Sequence, residues 1–303
     1  MQAFSFQQLG EKIKEIFISQ EKYKFAKHIQ EFVEGETFLG DYWTFYMFEP
    51  FGEKPPIMYS VLTPYDMVAK KAPEQALVFQ DGKVILNIDC LEYVNMRTGI
   101  MDSLILKHMG VDSMKDKKIL YFGTGNVAKM SLKALKEYFP HVEEVSVINK
   151  RGEDADFTLL GKELGVSLIF TSKESLGDFD YIFCHTSTGT GNVLLKEDVD
   201  RIKKGAVITT FVSDPGDTEL AEEFYNTEKA NIIIDWDESI DGTKELKSTI
   251  EKGSAVREKL TTLEKLFSGK YSPNPLAQYS VYRSTGTPMQ NLAFLKLLLE
   301  KSS

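Results

Sequence analysis

Cysteine, histidine and positive charge are all scarce in this sequence, and each shortage argues against a class of protein. Cys90 and Cys184 stand alone in apolar runs typical of strands, so we expect reduced core residues and no disulfide framework. The 4 histidines are scattered without metal-ligand spacing, so no metal site is expected. Because 36 basic residues stand against 45 acidic ones, the chain lacks the basic surface that a nucleic acid or an anionic membrane requires.

Long apolar segments are missing as well. No run in the sequence approaches the ~20 residues of a membrane-spanning helix. The first residues lack the charged-then-apolar pattern of a signal peptide, which predicts a cytoplasmic protein. A length of 303 residues exceeds what one hydrophobic core comfortably supports, and it suggests two domains.

The most informative feature that is present is a glycine-rich turn between an apolar strand and a helical pattern. Residues 118–122 lead directly into a G-x-G-x-x-A sequence at 123–128. The first glycine permits a tight turn, the second lets the backbone approach a pyrophosphate, and the small last residue lets the helix pack on the strand. The pattern predicts a dinucleotide site, with a phosphate-free structural turn as the alternative. The residues expected to bind the cofactor there are Gly123, Thr124, Gly125, Asn126 and Val127.

The residues after the next apolar strand, 145–148, bear on the choice between NAD and NADP. An acidic side chain at this place would bind the 2′-hydroxyl of NAD and repel a 2′-phosphate. This chain instead has Asn149, Lys150 and Arg151, an amide and two cations. We therefore expect these residues to bind the cofactor, with NADP(H) favoured and NAD(H) as the alternative. The other interpretation is an ordinary solvated loop.

The wider pattern predicts an α/β fold. From residue 118 onward, short apolar strands alternate with helical stretches, which is typical of a Rossmann-type doubly wound parallel sheet. Before it, residues 6–32 are predicted to be helical, and strand-like runs follow, the last of them joined by an Asp81-Gly82 hairpin. We expect this first region to be an antiparallel α+β arrangement.

Two further loops follow predicted parallel strands, at the sheet edge where ligands bind. One contains Thr186, Ser187 and Thr188, whose hydroxyl groups suit the ribose or amide of a nicotinamide. The other begins with Val212, a further candidate cofactor contact, and holds Asp214. Partial desolvation there would raise the pKa of the Asp214 carboxyl and let it exchange a proton near neutral pH. A simple turn residue is the alternative for Asp214.

Two nearby features favour structural interpretations. Asp217 and Glu219 are expected to stabilise the N-terminus of a predicted helix at 219–227. His185 ends an apolar strand beside the expected cofactor, and a packed structural histidine is favoured over a catalytic one.

Taken in order along the chain, these motifs resemble the ornithine cyclodeaminase and mu-crystallin family. The segments that carry the resemblance are 95–99, 123–128, 186–189, 213–220 and 282–286. The resemblance implies a Rossmann domain at 113–270 and an N-terminal domain at 1–112, completed by 271–303. It further implies that this N-terminal domain binds the substrate and forms the interface of a homodimer.

The resemblance also implies roles for particular residues. Arg97 would hold a carboxylate of the substrate or a cofactor phosphate, Asp214 would be the catalytic aspartate, and Ser284 and Gly286 would contact the cofactor. The chain departs from the family in its N-terminal strands, where relatives place an arginine and a lysine that hold the substrate carboxylate. No arginine precedes Arg97 here, and Lys54 is the nearest candidate cation, with a turn lysine as the alternative.

The function implied by the resemblance is an NAD(P)H-dependent oxidoreductase that acts on a small imino or amino acid. One alternative is a redox-neutral cyclodeaminase that releases ammonia from ornithine or lysine. Another is an NADP(H)-dependent binding protein of the mu-crystallin type, and a last one is an unrelated Rossmann enzyme whose late motifs match by chance.

Overall fold

The computed structural model of the chain contains two compact units. One is formed by Met1–Arg97 together with Thr287–Ser303, and the other by Thr98–Gly286. The structure describes residues 3–34, 37–48, 57–64, 74–186, 191–211, 218–240 and 243–302.

The first unit opens with helix α1 (Phe6–Ile18), which begins at a capping box. The Ser5 hydroxyl accepts a hydrogen bond from the Gln8 N–H at 3.1 Å, and the Gln8 side chain accepts one from the Ser5 N–H at 3.0 Å. The helix buries an apolar stripe that includes Leu9 and Ile13. The local sequence therefore explains both the start of the helix and the face that packs inward.

The predicted helix over 6–32 is wrong beyond Ile18. The chain instead forms strand β1 (Lys24–Glu34), which pairs antiparallel with β2 (Thr37–Phe48). Lys24 lies opposite Phe48 in this register. Strand preference depends on the partner strand, and an apolar pattern read locally does not report that partner.

The antiparallel sheet continues through β3 (Met58–Pro64), β4 (Gln75–Gln80) and β5 (Lys83–Asp89). Its strand order within the described residues is β1-β2-β3-β4-β5. The predicted hairpin between β4 and β5 is confirmed, because Asp81 and Gly82 have φ values of 53° and 71°. A type I′ turn requires positive φ at both positions.

Helix α2 (Leu91–His108) leaves this sheet, and helix α7 (Pro288–Ser302) packs beside its first turns. The Asp89 carboxylate accepts a hydrogen bond from the Leu91 N–H at 3.1 Å, which starts α2 directly after β5. The rings of Tyr93 and Phe294 stack with their centroids 5.7 Å apart. The C-terminal helix is thereby attached to the N-terminal part of the chain.

The second unit is built on a parallel sheet, as predicted. Its strands are β6 (Ile119–Phe122), β7 (Glu144–Ile148), β8 (Ser167–Phe170), β9 (Tyr181–Cys184), β10 (Ala206–Thr210), β11 (Ala230–Ile234), β12 (Thr261–Thr262) and β13 (Tyr279–Arg283). Their order within the described residues is β12-β11-β13-β10-β9-β6-β7-β8, and neighbouring strands pair in parallel. The chain winds outward in both directions from β6 and β9, and in such sheets ligands bind at the carboxyl ends of the strands at that switch point.

Helices cover this sheet, and one predicted helix is absent from it. The described helices of the second unit, besides α2, are α3 (Asn126–Tyr138), α4 (Ala155–Leu164), α5 (Lys244–Glu251) and α6 (Leu263–Phe267). The helix predicted at 219–227 is wrong, because only a 3₁₀ turn forms there, at Glu222–Tyr225. Leu220 makes a parallel bridge to Leu194, and that pairing extends the backbone where a helix would have begun.

Strand β13 also shows where the chain changes units. It lies between β10 and β11 in the parallel sheet, so residues 279–283 pack in the second unit. The compact units divide at Arg97 and Thr287, whereas the family resemblance implies domain boundaries near 112 and 271. The assignment of a substrate role and a dimer role to the first unit stays a prediction.

Candidate functional site

The turn after β6 has the geometry that a glycine-rich phosphate turn requires. The Gly123 N–H donates to the Ile148 carbonyl at 3.0 Å, and the Gly123 φ of 92° is one that residues with a side chain rarely adopt. A Cβ at Gly123 would lie 3.0 Å from the carbonyl carbon of His185 and closer still to its oxygen. The position demands glycine because the end of β9 packs directly against the turn.

Gly125, unlike Gly123, has free space where a side chain would lie. It stands at the N-cap of α3 with extended backbone, and a Cβ there would meet no atom of the described residues within 4 Å. The first N–H groups of a helix lack intrahelical acceptors, and the helix dipole attracts an anion to them. Asn126 is exposed and Val127 is half-buried. The predicted turn therefore has the shape and the free space that a pyrophosphate needs.

Side chains from the end of β7 hold this turn from one side. The Asn149 amide donates to the Thr124 hydroxyl at 3.2 Å, and that hydroxyl donates to the Asp154 carboxylate at 3.1 Å. Asp154 also caps α4 by accepting from the Phe157 N–H at 2.8 Å. This backbone hydrogen bond, with help from the Thr124 hydroxyl, lowers the pKa of Asp154. A charged carboxylate thus lies beside the turn, and its place before a helical pattern is a capping signal that the sequence already carries.

Lys150 and Arg151 follow Asn149 and are both exposed. Gly152 closes their loop with a φ of 78°, and its N–H donates to the Asn149 carbonyl at 3.0 Å. The loop therefore carries two cations in a short, defined turn at the carboxyl end of β7. Both side chains are exposed and positively charged, as binding of a 2′-phosphate would require. The contact itself stays a prediction.

Glu219 ties together the carboxyl ends of β9 and β10. Its buried carboxylate, 2 % exposed, accepts from the Thr186 N–H at 2.7 Å and from the Thr186 hydroxyl at 2.6 Å. It also accepts from the Thr210 hydroxyl at 2.6 Å and the Phe211 N–H at 3.0 Å. The expected helix-capping role of Glu219 is therefore wrong. Thr186 donates both of its protons to Glu219, so it can offer a ligand acceptor atoms only.

Several predicted site residues lie outside the described residues, and their roles stay predictions. They are Lys54, Ser187, Thr188, Val212 and Asp214. The described chain reaches Thr186 and Phe211 on either side of the two loops that hold four of them.

A buried pair, Asp102 and His185, lies next to the nucleotide turn. The His185 Nε2 and an Asp102 carboxylate oxygen are 2.7 Å apart, and both side chains are fully buried. Asp102 also accepts from the Thr209 hydroxyl at 2.5 Å and from Ser131. A carboxylate in its ionised form can only accept, and next to such a carboxylate His185 donates from Nε2. This contact gives His185 a structural role in the buried cluster, and the choice between a structural and a catalytic histidine stays a prediction.

The environment of this pair joins several elements of the second unit. The Tyr121 hydroxyl lies 2.9 Å from that of Ser131, and the His185 ring stacks on Phe211 with centroids 5.0 Å apart. A Cβ at Gly99 would lie 2.5 Å from the Ser131 nitrogen, so α2 and α3 touch backbone to backbone. The signal for Asp102 was in the sequence, since a lone carboxylate interrupts an apolar stretch of helix.

Arg97 lies in the first unit, near the start of α2, and contacts amides of α7. Its Nε donates to the Asn291 Oδ1 at 3.1 Å, and its Nη1 donates to the Gln290 Oε1 at 3.0 Å. Glu74, directly before β4, is also buried, and burial raises the pKa of its carboxyl to about 7. Arg97 opposes that rise and Asp89 adds to it. Arg97, the residue predicted to bind a carboxylate, is thus surrounded by polar side chains that no local motif in the sequence indicates.

Ser284 and Gly286 form a fixed turn at the end of β13. The Ser284 hydroxyl donates to Asp235 at 3.0 Å and accepts from the Gly286 N–H at 3.2 Å. Asp235 also accepts from the Thr285 N–H at 2.8 Å and from the Tyr282 hydroxyl at 2.5 Å. The turn has a structural explanation of its own, and its contact with a cofactor stays a prediction.

Comparison with known proteins supports one family and one fold. A model described as the ornithine cyclodeaminase/mu-crystallin family matches residues 80–303. Among curated proteins, none matches the sequence. Among the described helices, none combines the length and the hydropathy that a membrane crossing needs.

Solved structures with the same fold include three enzymes or probable enzymes. The iminosuccinate reductase of Paracoccus denitrificans, in complex with NAD+, is 17 % identical with a TM-score of 0.81, and the alignment covers 99 % of this chain and 92 % of that one. A probable ornithine cyclodeaminase from Bordetella pertussis Tohama I is 15 % identical with a TM-score of 0.81, covering 99 % and 93 %. The Δ1-pyrroline-2-carboxylate reductase of Thermococcus litoralis, in complex with NADH and L-proline, is 18 % identical with a TM-score of 0.80, covering 99 % and 94 %.

Proposed function

We propose that this chain, which belongs to the ornithine cyclodeaminase/mu-crystallin family, is an oxidoreductase that uses a nicotinamide dinucleotide to act on a small imino or amino acid. The observation that carries the proposal is the geometry of the glycine turn. The end of β9 leaves no room for a side chain at Gly123, whereas the space beside Gly125 is free for a phosphate. When bound, the dinucleotide supplies or accepts the hydride. Two enzymes of the same fold, an iminosuccinate reductase with NAD+ and a pyrroline-2-carboxylate reductase with NADH, support this assignment.

The chain's own residues take the binding and proton-transfer roles. Arg97 binds the substrate carboxylate, since a guanidinium matches a carboxylate with paired hydrogen bonds. Asp214 holds the proton that the substrate nitrogen gains or loses, and Lys54 supplies a second cation for the carboxylate. The loops that begin at Thr186 and Val212 position the nicotinamide. Glu219 supports that role, because it fixes the described ends of both loops.

The preferred form of the cofactor is NADP(H). Lys150 and Arg151 provide two positive charges, and Asp154 provides one negative charge beside the turn, so the loop keeps a net positive charge for a 2′-phosphate. In NAD-specific sites an acidic residue occupies the end of the second strand, and this chain has Asn149 there. NAD(H) is the alternative, and the Kd values measured for NADPH and NADH distinguish the two.

We further propose that the protein is a homodimer. One protein of the same fold, an archaeal alanine dehydrogenase with bound NAD, is described as a dimer; it is 19 % identical and has a TM-score of 0.79. Size-exclusion chromatography with light scattering tests this state directly. A monomer at micromolar concentration contradicts it.

The test of the function is an assay of purified protein with NADPH or NADH and a panel of cyclic and acyclic imino acids. An oxidoreductase consumes the reduced cofactor with at least one imino acid. A cyclodeaminase releases ammonia from ornithine or lysine with no net change of the cofactor. Tight cofactor binding with no turnover on either panel indicates a binding protein and contradicts the proposal.

A further inference from the structure

We infer that Glu74, Gln290 and Asn291 complete the substrate site around Arg97, and that together they select a ligand carrying both a carboxylate and a basic nitrogen. This inference deepens the proposed function and rests on it. All of these residues lie in the first unit. The carboxylate role of Arg97 was expected, whereas the other three residues have no assigned role.

The orientation of the two amides is fixed by Arg97. A guanidinium can only donate, so the amide oxygens of Gln290 and Asn291 must be the atoms that face it. The Thr287 N–H also donates to the Gln290 oxygen at 3.1 Å, which fixes that amide a second time. The nitrogen of each amide is therefore directed away from the guanidinium, and flipping either amide would break these contacts.

The outward atoms of this cluster are left without hydrogen bonds. The Gln290 Nε2, the Asn291 Nδ2 and the Glu74 Oε2 are buried, and none has a hydrogen-bond partner among the described residues. Buried polar atoms in native proteins are nearly always paired, because an unpaired one costs about 1–3 kcal/mol. Such atoms grouped around one arginine indicate a site whose partners arrive with a ligand.

The unpaired atoms specify the chemistry of that ligand. The amide nitrogens donate, and with the Arg97 cation they match a carboxylate. The Glu74 oxygen, when ionised, accepts, and it matches an ammonium or iminium group. The two amides add hydrogen-bond donors beside Arg97 but no further positive charge. One cation with neutral donors suits a ligand that places a single carboxylate here.

The cluster lies almost entirely out of contact with solvent. Arg97 keeps 8 % of its surface exposed and Glu74 keeps 7 %, whereas Gln290 and Asn291 are fully buried. Polar atoms buried to this extent depend on protein or ligand partners, because water does not replace the missing hydrogen bonds.

The protonation of Glu74 makes the selection measurable. Burial raises the pKa of Glu74 to about 7, and the charged or titratable groups that face it are Arg97, Asp89 and Cys90. A cationic nitrogen beside the carboxyl favours its ionised form, so binding of an amino acid near pH 7 releases a proton. A ligand without nitrogen gives no such release.

The experiment compares amino acids with their nitrogen-free counterparts by titration calorimetry, on the full chain with saturating NADPH. The probes are L-alanine with L-lactate and L-aspartate with L-malate, each in two buffers of different ionisation enthalpy to count protons. The variants are Glu74→Gln and Asn291→Leu, with the exposed Glu92→Gln on α2 as the matched control. Thermal unfolding of each variant confirms that it is folded.

We expect Glu74→Gln to weaken amino-acid binding by at least tenfold, to leave hydroxy-acid binding unchanged, and to abolish the proton release. Asn291→Leu weakens both ligand classes, and Glu92→Gln behaves as wild type. Equal amino-acid affinity in wild type and Glu74→Gln overturns this inference while leaving the proposed function intact. Failure of the wild type to bind any probe or any imino acid overturns the proposed function, and this inference with it.

Discussion

Replacing Gly123 with alanine tests the nucleotide turn through the stability of the protein. At a φ of 92°, a residue with a side chain is destabilised by about 1–2 kcal/mol relative to glycine, because its Cβ crowds the backbone there. The new Cβ would also lie 3.0 Å from the His185 carbonyl carbon, and relieving such overpacking costs about 1–3 kcal/mol. We expect the free energy of unfolding, measured by urea denaturation, to fall by about 2–5 kcal/mol.

Two other glycines separate these contributions. Gly165→Ala places alanine at φ 66° with no described atom within 4 Å of the Cβ. Its loss of stability therefore reports the backbone conformation alone, without a steric contact. Gly125→Ala, at φ −68° and equally open, should leave stability nearly unchanged and weaken binding of the dinucleotide. If Gly123→Ala and Gly165→Ala destabilise equally, the end of β9 does not press on the turn, and the reasoning is refuted.

Three further predictions follow from buried charge and from the cofactor loop. Asp102→Leu removes the acceptor of three buried side chains, His185, Thr209 and Ser131. We expect the free energy of unfolding, measured by chemical denaturation, to fall by about 3–5 kcal/mol. A loss under 1 kcal/mol would show that these contacts contribute little to stability. The pKa of Glu74 is raised from 4.5 to about 7, so its contribution to stability is present below pH 4.5 and is lost, up to about 3 kcal/mol, as the pH rises through 7. Urea denaturation from pH 5 to 8 should therefore show a steeper decline for wild type than for Glu74→Gln, and parallel curves would contradict this. Replacing Lys150 and Arg151 with alanine should raise the Kd for NADPH at least tenfold and leave that for NADH unchanged, and equal losses would refute a 2′-phosphate contact.

The sequence predicts those parts of the fold whose signals are local. The turn at Gly123 and Gly125, the helix after it and the Asp81-Gly82 hairpin depend on backbone rules that a few neighbouring residues express. The prediction for strand β1 is wrong, because the conformation of that segment depends on its pairing with β2. The prediction of a helix at 219–227 is wrong for the same reason, because Leu220 pairs with Leu194, a residue distant in sequence.

The candidate site divides in the same way. The glycine turn is indicated by its own motif, and Arg97 only by the family resemblance, whereas the partners of both residues are indicated by neither. Asp102 meets His185 across 83 positions of sequence, and Arg97 meets Asn291 across 194. Such contacts are products of the tertiary fold, and a residue type alone, even a lone carboxylate in an apolar helix, indicates that a partner exists without saying which.

The central claim, hydride transfer to a small imino acid, is tested most directly by an isotope. Wild-type protein is incubated with NADPH that carries deuterium on the transferred position of the nicotinamide, together with the imino-acid panel, and the product is examined by NMR. We predict deuterium on the α-carbon of the amino acid formed, and a rate about a hundredfold or more lower in Asp214→Asn. Products without deuterium at that carbon, or no product from any imino acid, would contradict the assignment.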